Sequence, residues 1–171
     1  EDQILAPVTY LTPDEIQAVR GQVSTGFNAP LTSSMGRLFD VVAALIGLCE
    51  EISYEAQAAM ALESTVDLQE SGFYEMPLEN DIINPFPMIR TIVAELKGGV
   101  SGGTIAARFH NSLVRMSLEA CWQIRQETDL CTVAISGGVW QNMRLMNLIL
   151  TALEAEGFTP LIHNQLPPND G

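Results

Sequence analysis

The sequence predicts an α/β domain that is predominantly helical. Most of the chain carries apolar residues at helical spacing, whereas two short β-branched runs near its end, CTVAI and TPLIH, are typical of strands. Of the 171 residues, 47% are hydrophobic and 17% are charged, a composition that excludes a disordered chain. We therefore expect a single unit over residues 1–171.

Two helices are predicted in the first third of the chain. In LTPDEIQAVRGQV, Thr12 is a favoured N-cap residue, and Pro13 suits the first helical position because its fixed φ fits a helix. The segment MGRLFDVVAALIGL follows a turn-rich stretch, and Gly47 lies near its end. Its apolar residues recur every three or four positions: Met35, Leu38, Val42 and Leu45, flanked by Phe39 and Ile46.

The middle of the chain predicts two more helices separated by a hairpin. The run YEAQAAMALESTVDLQE is rich in helix-forming residues and contains no Gly or Pro before Gly72. In GFYEMPLENDIINP, apolar and polar residues alternate around a Glu-Asn-Asp turn, which indicates a small hairpin whose Pro77 requires an edge strand. The helical pattern of PFPMIRTIVAELKGG stops at Gly98 and Gly99.

The last part of the chain predicts a long helix followed by strand, helix and strand. The long helix has apolar residues at steps of three or four: Ile105, Phe109, Leu113, Met116, Ala120 and Ile124. A second apolar series runs between the two strands: Val139, Met143, Met146, Ile149 and Leu153. Strand–helix–strand units form parallel pairs with right-handed crossovers. A sheet of two strands is too small to pack against so many helices. We therefore expect a fragment whose sheet is completed by further chain or by a second copy in a homo-oligomer.

Charge and cysteine content restrict the function. A formal net charge of −13, from 8 basic and 21 acidic residues, argues against binding nucleic acid, which needs a basic surface. The three cysteines show no CxxC spacing, which fits a reducing compartment. The sequence contains neither an apolar run long enough for a membrane span nor a secretory leader, so we expect a cytoplasmic protein that does not bind membranes.

The stretch AISGGVWQN joins the first predicted strand to the helix after it. Gly137 and Gly138 permit a tight turn and close approach of the backbone to a ligand, and the N–H groups of the following helix favour an anion. Asn142 is expected one turn into that helix, where its amide faces the same ligand. The alternative is a tight turn required only for packing.

Five motifs in this order carry a family resemblance: SSMGRLFD, ISYEAQAAM, IAARFHN, AISGGVWQN and LPPNDG. Together they resemble the C-terminal part of the HypF carbamoyltransferases, which mature nickel–iron hydrogenases. The family is similar to the tRNA-modifying synthase TsaD and to O-carbamoyltransferases, which have the actin-like ATPase fold with two ribonuclease-H-like lobes. The resemblance implies part of the second lobe with a helical insertion and a small hairpin, truncated at both ends.

The resemblance also implies an activity for the full-length protein. HypF enzymes cleave carbamoyl phosphate, form a carbamoyl-adenylate from ATP, and transfer the carbamoyl group to the C-terminal cysteine of HypE, with a divalent metal ion at the site. The segment alone is expected to be inactive. Two alternatives remain: an O-carbamoyltransferase acting on a small-molecule hydroxyl, and a non-catalytic nucleotide-binding or interaction module.

Site residues follow from the same resemblance. Asp40 matches an aspartate that contacts the adenosine part of the nucleotide, and its carboxylate suits ribose hydroxyls. Gly137, Gly138 and Asn142 match a GGVxxN pattern that borders the nucleotide. Asp170 matches a metal-binding carboxylate. The alternatives are that Asp40 lies on a solvated helix face and that Asp170 is only a turn residue. No catalytic residue is identified.

Four further residues lie in or next to these motifs. Arg37 is a possible phosphate contact or a solvated surface cation. Ala56 stands where relatives commonly carry glycine, and its methyl group disfavours a positive φ near the nucleotide. His110, on a helix of core residues, is expected to be a hydrogen-bonded structural group because the chain lacks the HxxxH-like metal motif of the family. His163 has no partner that the sequence identifies.

Overall fold

A computed structural model describes residues 5–163, which contain seven helices and four short strands. The helices are α1 (Ala6–Tyr10), α2 (Pro13–Thr25), α3 (Met35–Leu45), α4 (Gln57–Thr65), α5 (Phe86–Lys97), α6 (Gly102–Thr128) and α7 (Met143–Ala155). The strands are β1 (Leu78–Glu79), β2 (Ile82–Ile83), β3 (Thr132–Ala134) and β4 (Thr159–Leu161). The short helix α1 was not predicted from the sequence.

Helix α2 begins where the sequence predicts. The Glu15 N–H donates to Thr12 Oγ1 at 3.4 Å, and the Thr12 N–H donates to the Glu15 carboxylate at 2.8 Å. This reciprocal pair is a capping box, with Pro13 at the first helical position. The helix ends at Gly26, whose φ of 72° reverses the chain.

Helix α6 organises the main core. Its predicted apolar series is buried at Ile105, Phe109, Leu113 and Met116, but Ile124 is 52% exposed, so the prediction is wrong for the end of the series. The main core consists of these buried side chains: Phe39, Val42, Leu62, Tyr74, Met76, Met88, Ile92, Ile105, Ala106, Phe109, Leu113, Met116 and Leu145. Helices α3, α4, α5 and α7 therefore share one core with α6. None of the helices in the described part of the chain is sufficiently long and apolar to span a membrane.

Helix α4 is shorter than predicted, because the chain leaves the helical path after Thr65. The Ser64 and Thr65 hydroxyls donate back to the Ala61 carbonyl, at 2.8 and 2.9 Å, which competes with the helix. The Asp67 N–H then donates to the Gly103 carbonyl of α6 at 3.1 Å. A contact with a distant helix thus replaces the next helical hydrogen bond.

Strands β1 and β2 form the predicted hairpin. They pair antiparallel, with Leu78 opposite Ile83. The two residues between them, Asn80 and Asp81, have φ values of 50° and 64°. Positive φ at both central residues is typical of a type I′ turn, whose twist matches that of the strands, and Asn and Asp tolerate it better than most residues.

The topology of the unit β3–α7–β4 agrees with the prediction, since β3 and β4 pair in parallel with Ala134 opposite Leu161. The predicted apolar series of α7 is wrong at its start, because Val139 lies before the helix and Met143 is 61% exposed. A second, smaller core lies under α7 and consists of Ile135, Ile149, Leu153 and Phe158. Arg125 of α6 covers this core, with its guanidinium 4.1 Å from the centre of the Phe158 ring. Because β3 and β4 are parallel, their carboxyl ends lie at the same edge of the sheet, where the chain leaves β3 for the turn that precedes α7.

Candidate nucleotide site at the ends of strands β3 and β4

The turn after β3 requires glycine at only one of its two glycine positions. Gly137 has φ 105° and ψ 156°, a conformation open almost exclusively to glycine. Gly138 begins a right-handed 3-10 turn, Gly138–Gln141, which any residue can adopt. The Trp140 N–H donates to the Gly137 carbonyl at 3.2 Å and closes the turn. The predicted tight turn is confirmed, and Gly138 has no backbone reason of this kind to be glycine.

Asn142 is the N-cap of α7 and is only 8% exposed. Its Oδ1 accepts the Leu145 N–H at 2.8 Å, and its Nδ2 lies 3.0 Å from Nε2 of His110. The predicted position one turn inside the helix is wrong, because the 3-10 turn precedes the helix and α7 begins at Met143. Both polar atoms of the Asn142 side chain already have partners within the protein.

The protonation state of His110 follows from these contacts. The Leu145 N–H can only donate, so it fixes Oδ1 of Asn142 towards itself and Nδ2 towards the histidine. Nε2 of His110 must therefore accept, and Nδ1 carries the proton and donates to the Ala106 carbonyl at 2.8 Å. His110 is fully buried, and burial lowers its pKa. The expectation of a hydrogen-bonded core histidine is confirmed.

The neutral state of His110 predicts a pH dependence of stability. Because its pKa is lowered in the folded protein, the unfolded chain binds the proton at a higher pH. The stability that depends on neutral His110 is fully present above the unfolded pKa of about 6.5, and it is lost as the pH falls below that value. We expect denaturant unfolding of this chain to show a smaller acid-induced loss of stability in His110→Gln than in the unsubstituted chain. Equal losses in both would contradict the assignment.

A second side chain occupies the start of α7. Glu63 of α4 accepts the Arg144 N–H through Oε1 at 2.8 Å. Two N–H groups of the first helical turn are thus bonded to Asn142 and Glu63, contrary to the expectation that the helix presents them to a ligand. Among residues 5–163, by contrast, no hydrogen bond uses the N–H groups of Gly137 and Gly138. Within the described residues, the donors without a partner thus include those of the turn and the N–H of Met143, the first residue of α7.

Asp40 and Arg37 form an ion pair on the exposed side of α3. Arg37 Nη1 lies 3.0 Å from Asp40 Oδ2, with side-chain exposures of 65% and 32%. An exposed pair at this spacing contributes little to stability. The neighbouring Phe39 is buried, and its ring centre lies 5.6 Å from that of His110. The packing of Phe39 on His110 therefore connects the helix that carries Asp40 to the Asn142 cap.

Ala56 adopts the conformation that the sequence was expected to disfavour. Its φ is 63° and its ψ is 7°, and it is the N-cap residue of α4. A left-handed conformation costs a residue with a Cβ about 1–2 kcal/mol. The backbone thus has a conformation that glycine would adopt without strain, although a methyl group is present. Ala56 therefore adopts a positive φ despite the cost that its Cβ adds.

The metal assignment to Asp170 lies outside the described residues. Within residues 5–163 there is no group of three or more His, Cys, Asp or Glu side chains that could hold a metal ion.

Comparison with known proteins identifies the family. The family described as "Carbamoyltransferase, Kae1-like Domain, second subdomain" matches residues 2–171. The chain belongs to this family. Its predicted fold, a partial actin-like lobe, is confirmed by a solved structure, "Crystal structure of full-length HypF in the phosphate- and nucleotide-bound form". The match covers 96% of this chain and 26% of the HypF chain in that structure, with a TM-score of 0.91 and 34% sequence identity.

Other HypF proteins are also similar. "Carbamoyltransferase HypF" of Synechocystis sp. is 43% identical over 149 residues, which is 84% of this chain and 18% of that protein. The protein of the same name from Rhodobacter capsulatus is 34% identical over 153 residues, 89% of this chain and 20% of its own. The crystal structure of T. kodakarensis HypF matches with a TM-score of 0.82 and 26% identity, over 97% of this chain and 22% of that one. The chain spans about a fifth of the length of these curated relatives.

Proposed function

We propose that this chain is the nucleotide-facing second subdomain of a HypF-type carbamoyltransferase. The observation that carries the proposal is its likeness, at a TM-score of 0.91, to a full-length HypF whose structure is described as phosphate- and nucleotide-bound. The turn after β3 supports it, because the N–H groups of Gly137 and Gly138 have no partner among residues 5–163 and suit an anionic ligand.

In the proposed reaction, the full-length enzyme cleaves carbamoyl phosphate to carbamate and phosphate, and carbamate then reacts with ATP to form carbamoyl-adenylate and pyrophosphate. The thiol of the C-terminal cysteine of HypE takes the carbamoyl group and AMP leaves. The turn at Gly137 and Gly138 would hold the nucleotide, and Asp40 would accept hydrogen bonds from the ribose hydroxyls. Positioning of this kind supplies much of the rate of a group transfer, because it replaces a chance encounter by a fixed geometry. Asp170 would contribute to a divalent metal site together with residues outside the described part.

The acceptor distinguishes this proposal from an O-carbamoyltransferase. The relatives reported above are HypF proteins, which supports the thiol of HypE over a small-molecule hydroxyl. A non-catalytic module would bind nucleotide without turnover, so activity of the full-length protein separates it from the enzyme.

The proposal predicts different activities for the full-length protein and for this chain. We expect carbamoyl-phosphate-dependent exchange of pyrophosphate with ATP in the full-length enzyme. The 171-residue chain alone should show none above a heat-killed control, because it spans about a fifth of the HypF relatives. Radiolabelled exchange, with and without carbamoyl phosphate, measures both. A full-length protein without this exchange would refute the proposed function, and exchange by the isolated chain would refute the requirement for the remaining domains.

A further inference from the structure

Ser136 and His163 stand at the carboxyl ends of the two parallel strands. Ser136 is two residues beyond the end of β3, and His163 is two residues beyond the end of β4. Ser136 Oγ and His163 Nε2 are 3.2 Å apart, and both side chains are exposed. Ligands of α/β sheets bind beyond the carboxyl ends of the strands. The pair therefore lies at the ligand side of the sheet, next to Gly137.

The pair leaves a hydrogen-bond donor for a ligand in either neutral tautomer. If Nε2 of His163 carries the proton and donates to Ser136 Oγ, the serine hydroxyl hydrogen is free. If the serine hydroxyl donates to Nε2, the proton on Nδ1 of the ring is free. In each arrangement, one residue of the pair keeps a donor for the ligand, and its hydrogen bond to the other residue fixes its orientation.

The donors of the pair and of the adjacent turn favour an anionic oxygen as the ligand. Within residues 5–163, no carboxylate is hydrogen-bonded or ion-paired to Ser136 or His163. The adjacent N–H groups of Gly137 and Gly138 add two donors without partners in the same range. Phosphate oxygens accept hydrogen bonds and carry negative charge, so a set of donors matches them.

We propose that Ser136 and His163 bind a phosphate group of the adenine nucleotide. This inference rests on the proposed function and adds two residues to its site. In this arrangement, Ser136 and His163 contact a phosphate of the nucleotide, whereas Asp40 contacts its ribose.

The test compares adenosine with the β,γ-imido analogue of ATP, using calorimetric binding to the full-length enzyme. Ser136→Ala and His163→Leu are each expected to weaken binding of the ATP analogue about ten-fold or more, the effect of losing a hydrogen bond to a charged group. Adenosine binding should change less than two-fold. Thr132→Ala is the matched control, because Thr132 is an exposed hydroxyl residue at the opposite end of β3. Melting temperatures establish that each variant is folded.

Three outcomes separate this inference from the proposed function. A selective loss of ATP-analogue binding in both variants supports the phosphate contact. Unchanged binding, or equal losses for adenosine and the analogue, would overturn it while the proposed function stands. An unsubstituted full-length enzyme that binds neither compound would refute nucleotide binding itself, and the phosphate contact with it.

Discussion

Asn142→Ala is expected to lower the free energy of unfolding of this chain by about 2–4 kcal/mol. The substitution removes the N-cap of α7, because Oδ1 of Asn142 accepts the Leu145 N–H. It also removes the donor to Nε2 of His110, a fully buried side chain. A lost cap costs about 1 kcal/mol, and a buried acceptor without a partner costs about 1–3 kcal/mol.

Ser101→Ala is the matched control for this substitution. Ser101 caps α6 in the same way, with its Oγ accepting the Thr104 N–H at 3.1 Å, but it is exposed and has no buried partner. We expect it to cost about 1 kcal/mol, the cap alone. Denaturant unfolding of both variants at pH 7.5 measures the difference. Equal losses would show that the hydrogen bond between Asn142 and His110 adds nothing to the cap.

Local signals in the sequence were sufficient for most helix starts and for the hairpin. The capping box of α2 joins Thr12 and Glu15, which are three residues apart in the sequence. The hairpin turn depends only on the positive φ values of its own residues, Asn80 and Asp81. The end of α4 was missed because it depends on a hydrogen bond from Asp67 to Gly103, a residue of another helix. Periodicity therefore predicts where a helix is able to form, and a distant partner decides where this one stops.

The same distinction applies to the candidate site. The glycine turn is a local feature and was predicted, because Gly137 requires a backbone that few other residues adopt. The partners of Asn142 and Arg144 were not predictable from spacing, since His110 is 32 residues from Asn142 and Glu63 is 81 residues from Arg144. Packing of α4 and α6 against α7 brings them together. The buried cap network is thus a property of the tertiary structure.

Gly138→Val is expected to abolish nucleotide binding and activity of the full-length enzyme while leaving it folded. The substituted backbone lies in a 3-10 turn and is exposed, so the effect on stability should stay within about 0.5 kcal/mol. If the nucleotide lies against this turn, the valine side chain occupies the space of the nucleotide. Gly138→Ala should cause a smaller loss of nucleotide affinity, because its methyl group fills less of that space. Gly137→Val is the contrast, because a φ of 105° strains any side chain and costs about 1–3 kcal/mol of stability.

Asp40→Asn completes this set of variants, since it removes a charge without changing the size of the side chain. We expect nucleotide binding to weaken by about 1.5–3 kcal/mol, the value of one hydrogen bond to a charged group. Arg37→Gln is its control, because it breaks the same surface ion pair but leaves the Asp40 carboxylate for the ribose. Calorimetric binding and melting curves of all five full-length variants decide between the two interpretations of the turn. A turn required only for packing predicts a lower melting temperature for Gly138→Val with unchanged nucleotide affinity, whereas a nucleotide-binding turn predicts lost affinity at an unchanged melting temperature.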